Sequence, residues 1–73
     1  MDLTIEQALL QAIAAQEKGK FQDAERLYRA ILQVQPDHPD ANHNLGVLFV
    51  SAGKLLEGIP LFKLALEADP RVE

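Results

Sequence analysis

The chain repeats itself with a period of 34 residues. Residues 19–36 read GKFQDAERLYRAILQVQP, and residues 53–70 read GKLLEGIPLFKLALEADP. Aligned at this period, seven pairs of residues coincide or resemble each other: Gly19 and Gly53, Lys20 and Lys54, Phe21 and Leu55, Ala24 and Gly58, Tyr28 and Phe62, Leu32 and Leu66, and Pro36 and Pro70. Self-similarity at a fixed period of this length is the signature of stacked structural repeats.

Each of these stretches follows a second segment that has helical periodicity. Residues 5–18 place Ala8, Ala12 and Ala15 on one face. Residues 39–52 place Leu45, Leu48, Phe49 and Ala52 at the i, i+3, i+4, i+7 spacing of a buried stripe. Each repeat is therefore predicted to be a helix, a short turn and a second helix.

The expected helix ends carry residues with matching physical roles. Thr4 and Gln7 have the spacing of a capping box, which satisfies free amides at a helix start. Gly19 and Gly53 fall where the first helix of each repeat should end, since glycine accepts a left-handed backbone without steric cost. Pro36 and Pro70 are expected to stop the second helices.

Two further positions leave alternatives. Either Asp37 or His38, just before Pro39, is expected to cap the third helix. Pro60 lies early in the last helix. If that helix begins near residue 55 or 56, the missing amide is one that is free in any helix start. An earlier start predicts a kink.

Packing within each helix pair is predicted to depend on small residues. Ala12 and Ala24 in the first repeat correspond to Gly46 and Gly58 in the second, and their size lets paired helices approach closely. The aromatic pair, Tyr28 and Phe62, is expected to fill the space between repeats.

The spacing Leu45-Gly46-x2-Phe49, Gly53, Gly58-x3-Phe62, Ala65-Leu66 and Pro70 resembles the tetratricopeptide repeat family. The resemblance covers residues 5–70 and implies an all-α fold, a right-handed superhelical stack of two hairpins with four antiparallel helices. It implies one domain over residues 1–73, with repeats at about 5–38 and 39–72. The sequence departs from the family where Ala8 and Asn42 replace its tryptophan and Gly58 replaces its usual alanine.

In that family the first helices of successive repeats line a concave, partner-binding groove. The resemblance therefore implies groove positions at Glu6, Leu9, Ile13, Gln16, Asp40, His43, Val47, Val50 and Ser51. The family members that clamp a carboxylate use Lys, Asn and Arg at the positions of Leu9, Ile13, His43 and Val47. An apolar or amphipathic helical segment is the expected ligand here. The alternative is that the apolar members are packing residues with no ligand.

The last helix carries more apolar residues than one buried stripe needs. Because terminal repeats normally require a polar cap, Leu56, Leu61 and Leu64 are predicted to mediate self-association or to be covered by further chain.

Composition excludes several kinds of chemistry. The sequence has no cysteine, so disulfides, thiolate metal sites and cysteine nucleophiles are impossible. The net charge of −4 disfavours a phosphate backbone as partner. His38 and His43 lack the i, i+4 spacing of a helical metal pair, and Ser51 lacks evident partners for catalysis.

No cofactor, nucleic acid or membrane is expected, and no secretory signal is visible, so the predicted location is the cytoplasm.

These observations favour a non-catalytic protein-interaction module that binds a protein or peptide partner, with a possible homo-oligomer through the uncapped last helix. A second hypothesis starts from the stretch HPDANHNLGVLFVSAGK, which is similar to bacterial repeat regions that precede glycosyltransferases of the O-linked N-acetylglucosamine transferase type. It makes the chain the amino-terminal recognition region of a larger bacterial enzyme. A third, a helix-turn-helix DNA binder, is disfavoured by the charge and the period.

Overall fold

A computed structural model of the chain describes residues 3–68. These residues form four helices: α1 Ile5–Glu17, α2 Phe21–Val34, α3 Pro39–Ser51 and α4 Leu55–Ala68. The helices are two hairpins in register with the 34-residue period, so the predicted all-α hairpin stack is confirmed over the described residues. Pro70 and the predicted end of the second repeat lie outside them.

The helices stack in chain order. Helix α1 packs on α2, α2 packs on α3, α3 packs on α4, and α1 also contacts α3. Helix α2 therefore lies between the two first helices and joins the hairpins into one body. The main buried cluster is contributed by α1, α2 and α3 and consists of Ala8, Ala12, Ala24, Tyr28, Ile31, Ala41, Leu45, Leu48 and Phe49. Ala65 of α4 is buried as well.

Helix starts follow the sequence signals. The Thr4 hydroxyl accepts the amide proton of Gln7 at 3.1 Å, and the Thr4 amide donates to the Gln7 side chain at 3.0 Å. This is the predicted capping box. Of the two candidate caps for α3, His38 has this role, because its Nδ1 accepts the amide proton of Ala41 at 3.1 Å. Pro39 is the first residue of α3, where its missing amide costs nothing.

Both hairpin turns use the same glycine cap. Gly19 has φ +77° and Gly53 has φ +80°, which is the left-handed region. The following amides, of Lys20 and Lys54, each donate to a carbonyl five residues back at 2.8 Å. This is a Schellman closure, which satisfies carbonyls at the helix end that have no intrahelical donor. The two predicted caps are confirmed, and their identical geometry shows the repeat at atomic level.

Small residues set the spacing within each hairpin. A β-carbon at Gly46 would lie 2.9 Å from Cε1 of Phe62 and 3.2 Å from the backbone oxygen of Gly58. In the first hairpin the equivalent residues are Ala12 and Ala24, and both are fully buried. The predicted close approach is confirmed, and α3 and α4 cross through glycine where α1 and α2 cross through alanine.

The prediction for Pro60 was only partly right. Helix α4 does begin at Leu55. However, the Gly58 amide already donates to the Lys54 carbonyl at 3.1 Å, so helical bonding starts two residues before the proline. The expectation that the amide missing from Pro60 is a free one was wrong, because a residue there would donate to the Leu56 carbonyl. Leu56, whose carbonyl lacks this donor, is an exposed residue.

Candidate partner-binding groove

The predicted groove residues come from the two first helices, α1 and α3, which are in contact. Leu9, Ile13 and Gln16 are spaced i, i+4, i+7 on α1, and the same spacing recurs 34 residues later on α3. This spacing gives each helix one shared face. We call the nine predicted positions the α1–α3 groove: Glu6, Leu9, Ile13, Gln16, Asp40, His43, Val47, Val50 and Ser51. That they bind a partner stays a prediction.

Burial divides the groove into a floor and a rim. The residues Leu9, Ile13, Gln16, His43 and Val47 are half-buried, and Glu6, Asp40, Val50 and Ser51 are exposed. Leu9 and Ile13 also pack against the core cluster. The leucine and isoleucine side chains therefore pack on the core, as expected if they were only packing residues. Part of each side chain nevertheless stays open to solvent.

The side chain of Gln16 is held by a hydrogen bond from α2. Its Oε1 accepts the hydroxyl proton of Tyr28 at 2.8 Å, and the tyrosine side chain is fully buried between the hairpins. One polar atom of the predicted groove is therefore already occupied by the fold. The bond ties the surface of α1 to α2.

His43 is held by an aromatic neighbour. Its ring meets that of Phe62 edge-on, with centroids 5.6 Å apart and planes at 61°. Such edge-to-face pairs are worth about 0.5–1.5 kcal/mol beyond simple burial. The contact positions the imidazole at the boundary between α3 and α4.

Acidic side chains lie at one end of the groove. Glu6 and Asp40 occupy the first turns of α1 and α3, where the helix dipole also favours negative charge. Both are exposed. The surface therefore combines a half-buried apolar floor with a negative edge.

The described residues show no cluster of metal ligands. Within residues 3–68, no three or more His, Asp or Glu side chains are grouped so that they could hold a metal ion. His38, a member of the sequence cluster that suggested such a site, uses its Nδ1 to cap α3.

The three residues predicted for self-association do not share one environment. Leu56 is 85% exposed and Leu64 is 43% exposed. Leu61 is half-buried against the core and lines an open cavity of about 490 Å³ between α2, α3 and α4. The other cavity residues are Arg29, Leu32, Gln33, Leu45, Phe49, Glu57 and Pro60. The sequence analysis did not anticipate this cavity.

Asn42 has a role that sequence reasoning missed. It is 1% exposed, and its Nδ2 donates to the carbonyls of Pro36 and His38 at 3.1 and 3.2 Å. The side chain therefore fixes the turn that joins the two hairpins. The available signal was an asparagine on the buried face of α3, six residues after a proline.

The fold and the groove define a class of protein: a short helical-hairpin solenoid whose neighbouring first helices form an extended surface. The family model described as Tetratricopeptide repeat matches residues 9–73. The chain belongs to the tetratricopeptide repeat family, whose members generally mediate protein–protein interaction. None of the helices in residues 3–68 is both long and apolar enough to cross a membrane.

Proposed function

We propose that the protein is a non-catalytic interaction module that binds an amphipathic helical segment of a partner protein in the α1–α3 groove. The observation that carries this proposal is the half-buried apolar floor, in which Ile13 and Val47 lie at matching positions of adjacent helices and Leu9 lies one turn before Ile13. A helix laid in an apolar groove is recognised through residues at i, i+3, i+4 and i+7.

The acidic edge adds a charge preference. Glu6 and Asp40 are exposed at the same end of the two helices, and the whole chain has a net charge of −4. A partner helix with lysine or arginine beside its apolar stripe complements this edge. Such complementarity mainly raises the association rate and selects the orientation of the partner.

The proposal is tested by affinity capture with the wild-type chain and the double variant Leu9→Glu plus Val47→Glu. Two carboxylates on the floor would have to be desolvated by any bound apolar segment, so the variant is expected to lose the captured partner. Val34→Glu is the matched control, because Val34 is an exposed valine at the end of α2, outside the groove. The control is expected to retain the partner.

Leu9 also packs on the core, so a second variant protects the test against misfolding. Glu6→Lys plus Asp40→Lys changes only exposed side chains and reverses the edge. It is expected to weaken capture and to reduce its dependence on salt. Recovery of the same partners by all four baits would show that the groove is not the binding surface.

A second candidate keeps the hypothesis that residues 38–54 resemble repeat regions that precede bacterial glycosyltransferases. In that case the same groove supplies recognition to a catalytic domain on a longer polypeptide. Sequencing the reading frame past residue 73 tests this candidate, which requires that a catalytic domain be encoded there.

A further inference from the structure

Helix α4 carries a straight apolar stripe that the described residues leave uncovered. Its members are Leu55, Ile59, Phe62 and Leu66, spaced i, i+4, i+7 and i+11, and we call them the α4 stripe. Leu55, Ile59 and Leu66 are 56%, 51% and 48% exposed, and Phe62 is half-buried. A contiguous exposed apolar surface of this kind marks an interaction site.

The first hairpin shows what such a stripe does when it is covered. The equivalent positions on α2 include Tyr28 and Leu32, which correspond to Phe62 and Leu66. Helix α3 packs on α2, so Tyr28 is fully buried and Leu32 is half-buried. The half of the α4 stripe formed by Phe62 and Leu66 therefore corresponds to a surface that a helix covers in the first hairpin. Leu55 and Ile59 correspond to Phe21, which is 51% exposed, and to Glu25, which pairs with Arg29.

Acidic residues of α4 are kept off this surface. Glu57 lines the cavity between α2, α3 and α4. Glu67 follows Leu66 directly, so the helical period turns it about 100° away from that stripe residue. Lys63, four residues after Ile59, borders the stripe. Two molecules with a net charge of −4 each can thus meet along α4 without placing carboxylates against each other.

The amino-terminal hairpin of another copy is poorly suited to cover the stripe. In the α2–α3 contact, α3 offers Phe49, whose ring lies 5.5 Å from the Arg29 guanidinium, and Leu45, which shares a cavity with Leu32. One repeat earlier, α1 has Gln11 and Ala15 at these positions. A polar and a small residue replace the two apolar ones, so head-to-tail stacking cannot reproduce the internal contact.

We propose that the α4 stripe of a second copy covers the stripe, giving an isologous dimer with α4 against α4. The same apolar residues then form both sides of the interface, as two-fold symmetry requires. The stripe touches the α1–α3 groove where Phe62 meets His43. Ile59 and Leu66, the two stripe residues substituted below, are not groove residues, so dimer formation and groove binding are tested by separate variants.

Sedimentation velocity of the 73-residue chain from micromolar to millimolar concentration tests this assembly. The expected result is a mass that doubles and then stops rising. Ile59→Glu plus Leu66→Glu is expected to remain a monomer throughout, since both side chains are half exposed and the change does not disturb the core. Val34→Glu is the matched control and should dimerise like the wild type, with helix content checked by circular dichroism for all three.

Symmetry is tested with one introduced thiol, because the chain has no cysteine of its own. A spin label on Lys63→Cys is expected to show one short label-to-label distance in the dimer. A mass that increases without a plateau would indicate head-to-tail stacking and overturn the proposal. So would a monomer at millimolar concentration, or a dimer that survives the double substitution.

Discussion

The hydroxyl of Tyr28 donates a 2.8 Å hydrogen bond to Oε1 of Gln16, so the helix between the hairpins holds a residue of the groove surface. The surroundings of the phenol also have an electrostatic consequence. Burial, and secondarily the nearby Glu17 carboxylate, raises the pKa of Tyr28 from 10.0 to about 12. A tyrosinate at this position would lose hydration and would be repelled by the carboxylate, so the fold favours the neutral phenol.

Stability is therefore predicted to fall in alkaline solution. Below pH 10, Tyr28 is protonated in both states and its contribution is constant. Between about pH 10 and 12 the unfolded chain releases this proton and the folded chain keeps it. The free energy of unfolding then decreases by about 1.4 kcal/mol per pH unit at most. Urea denaturation across this range measures the slope.

Tyr28→Phe supplies the control, because lysine titration is common to both proteins. Its alkaline loss of stability is expected to be shallower than that of the wild type. Tyr28 is the single tyrosine and there is no tryptophan, so near-ultraviolet absorbance reports its ionisation directly. A native titration midpoint close to pH 10 would contradict the burial of the Tyr28 phenol.

Asn42 provides a second prediction, on the turn between the hairpins. Asn42→Asp keeps the shape of the side chain but replaces the amide donor that serves the carbonyls of Pro36 and His38. A buried carboxylate facing two carbonyl oxygens is expected to reduce the free energy of unfolding by about 2–3 kcal/mol. Thermal unfolding measures the loss, and recovery of stability at low pH, where the acid is protonated and can donate one bond, is the internal check.

Much of this fold could be predicted because the same residue types mark the helix ends in both repeats. Gly19 and Gly53 must take positive φ at the same place in each unit, and the alternation of small and aromatic residues fixes which helices pair. The role of Asn42 could not be predicted in this way. Its bond to the Pro36 carbonyl depends on how the turn folds back on α3, which no spacing rule encodes.

The groove was less predictable than the fold for a different reason. An apolar residue on a first helix has the same period whether it packs on the core or lines a surface, and Leu9 does both. On α4, spacing alone did not give the orientation of the helix relative to α3. The sequence prediction therefore grouped Leu61 with Leu56, although one is half-buried and the other is exposed.

Backbone conformation at the hairpin turns gives a third prediction. An alanine β-carbon at Gly19 or Gly53 would meet no atom within 4 Å beyond the adjoining residues, so substitution there tests backbone strain. Each change to alanine is expected to cost about 1 kcal/mol, because L residues are disfavoured at positive φ. Chemical denaturation measures the cost. A D-alanine introduced by chemical synthesis is the matched control and should be tolerated at both positions.

The glycine crossing of α3 and α4 gives the last prediction. At Gly58 a β-carbon would lie 2.8 Å from Cγ2 of Val50 and 3.0 Å from the Gly46 backbone oxygen, so the helices themselves must move apart. Overpacking of this kind costs about 1–3 kcal/mol, against a gain of about 1 kcal/mol in helix propensity. Gly58→Ala is therefore expected to destabilise the protein by about 1 kcal/mol in chemical denaturation.

The matched control for Gly58→Ala is the double variant Gly58→Ala plus Val50→Ala. Removing the two γ-carbons of Val50 relieves the closest clash, and the backbone oxygen of Gly46 remains as the residual obstacle. The double variant is expected to lose less stability than the sum of the two single changes, which a double-mutant cycle reports as a favourable coupling. Strict additivity, or an increase in stability with Gly58→Ala alone, would show that α3 and α4 are not held together at the spacing that this crossing requires.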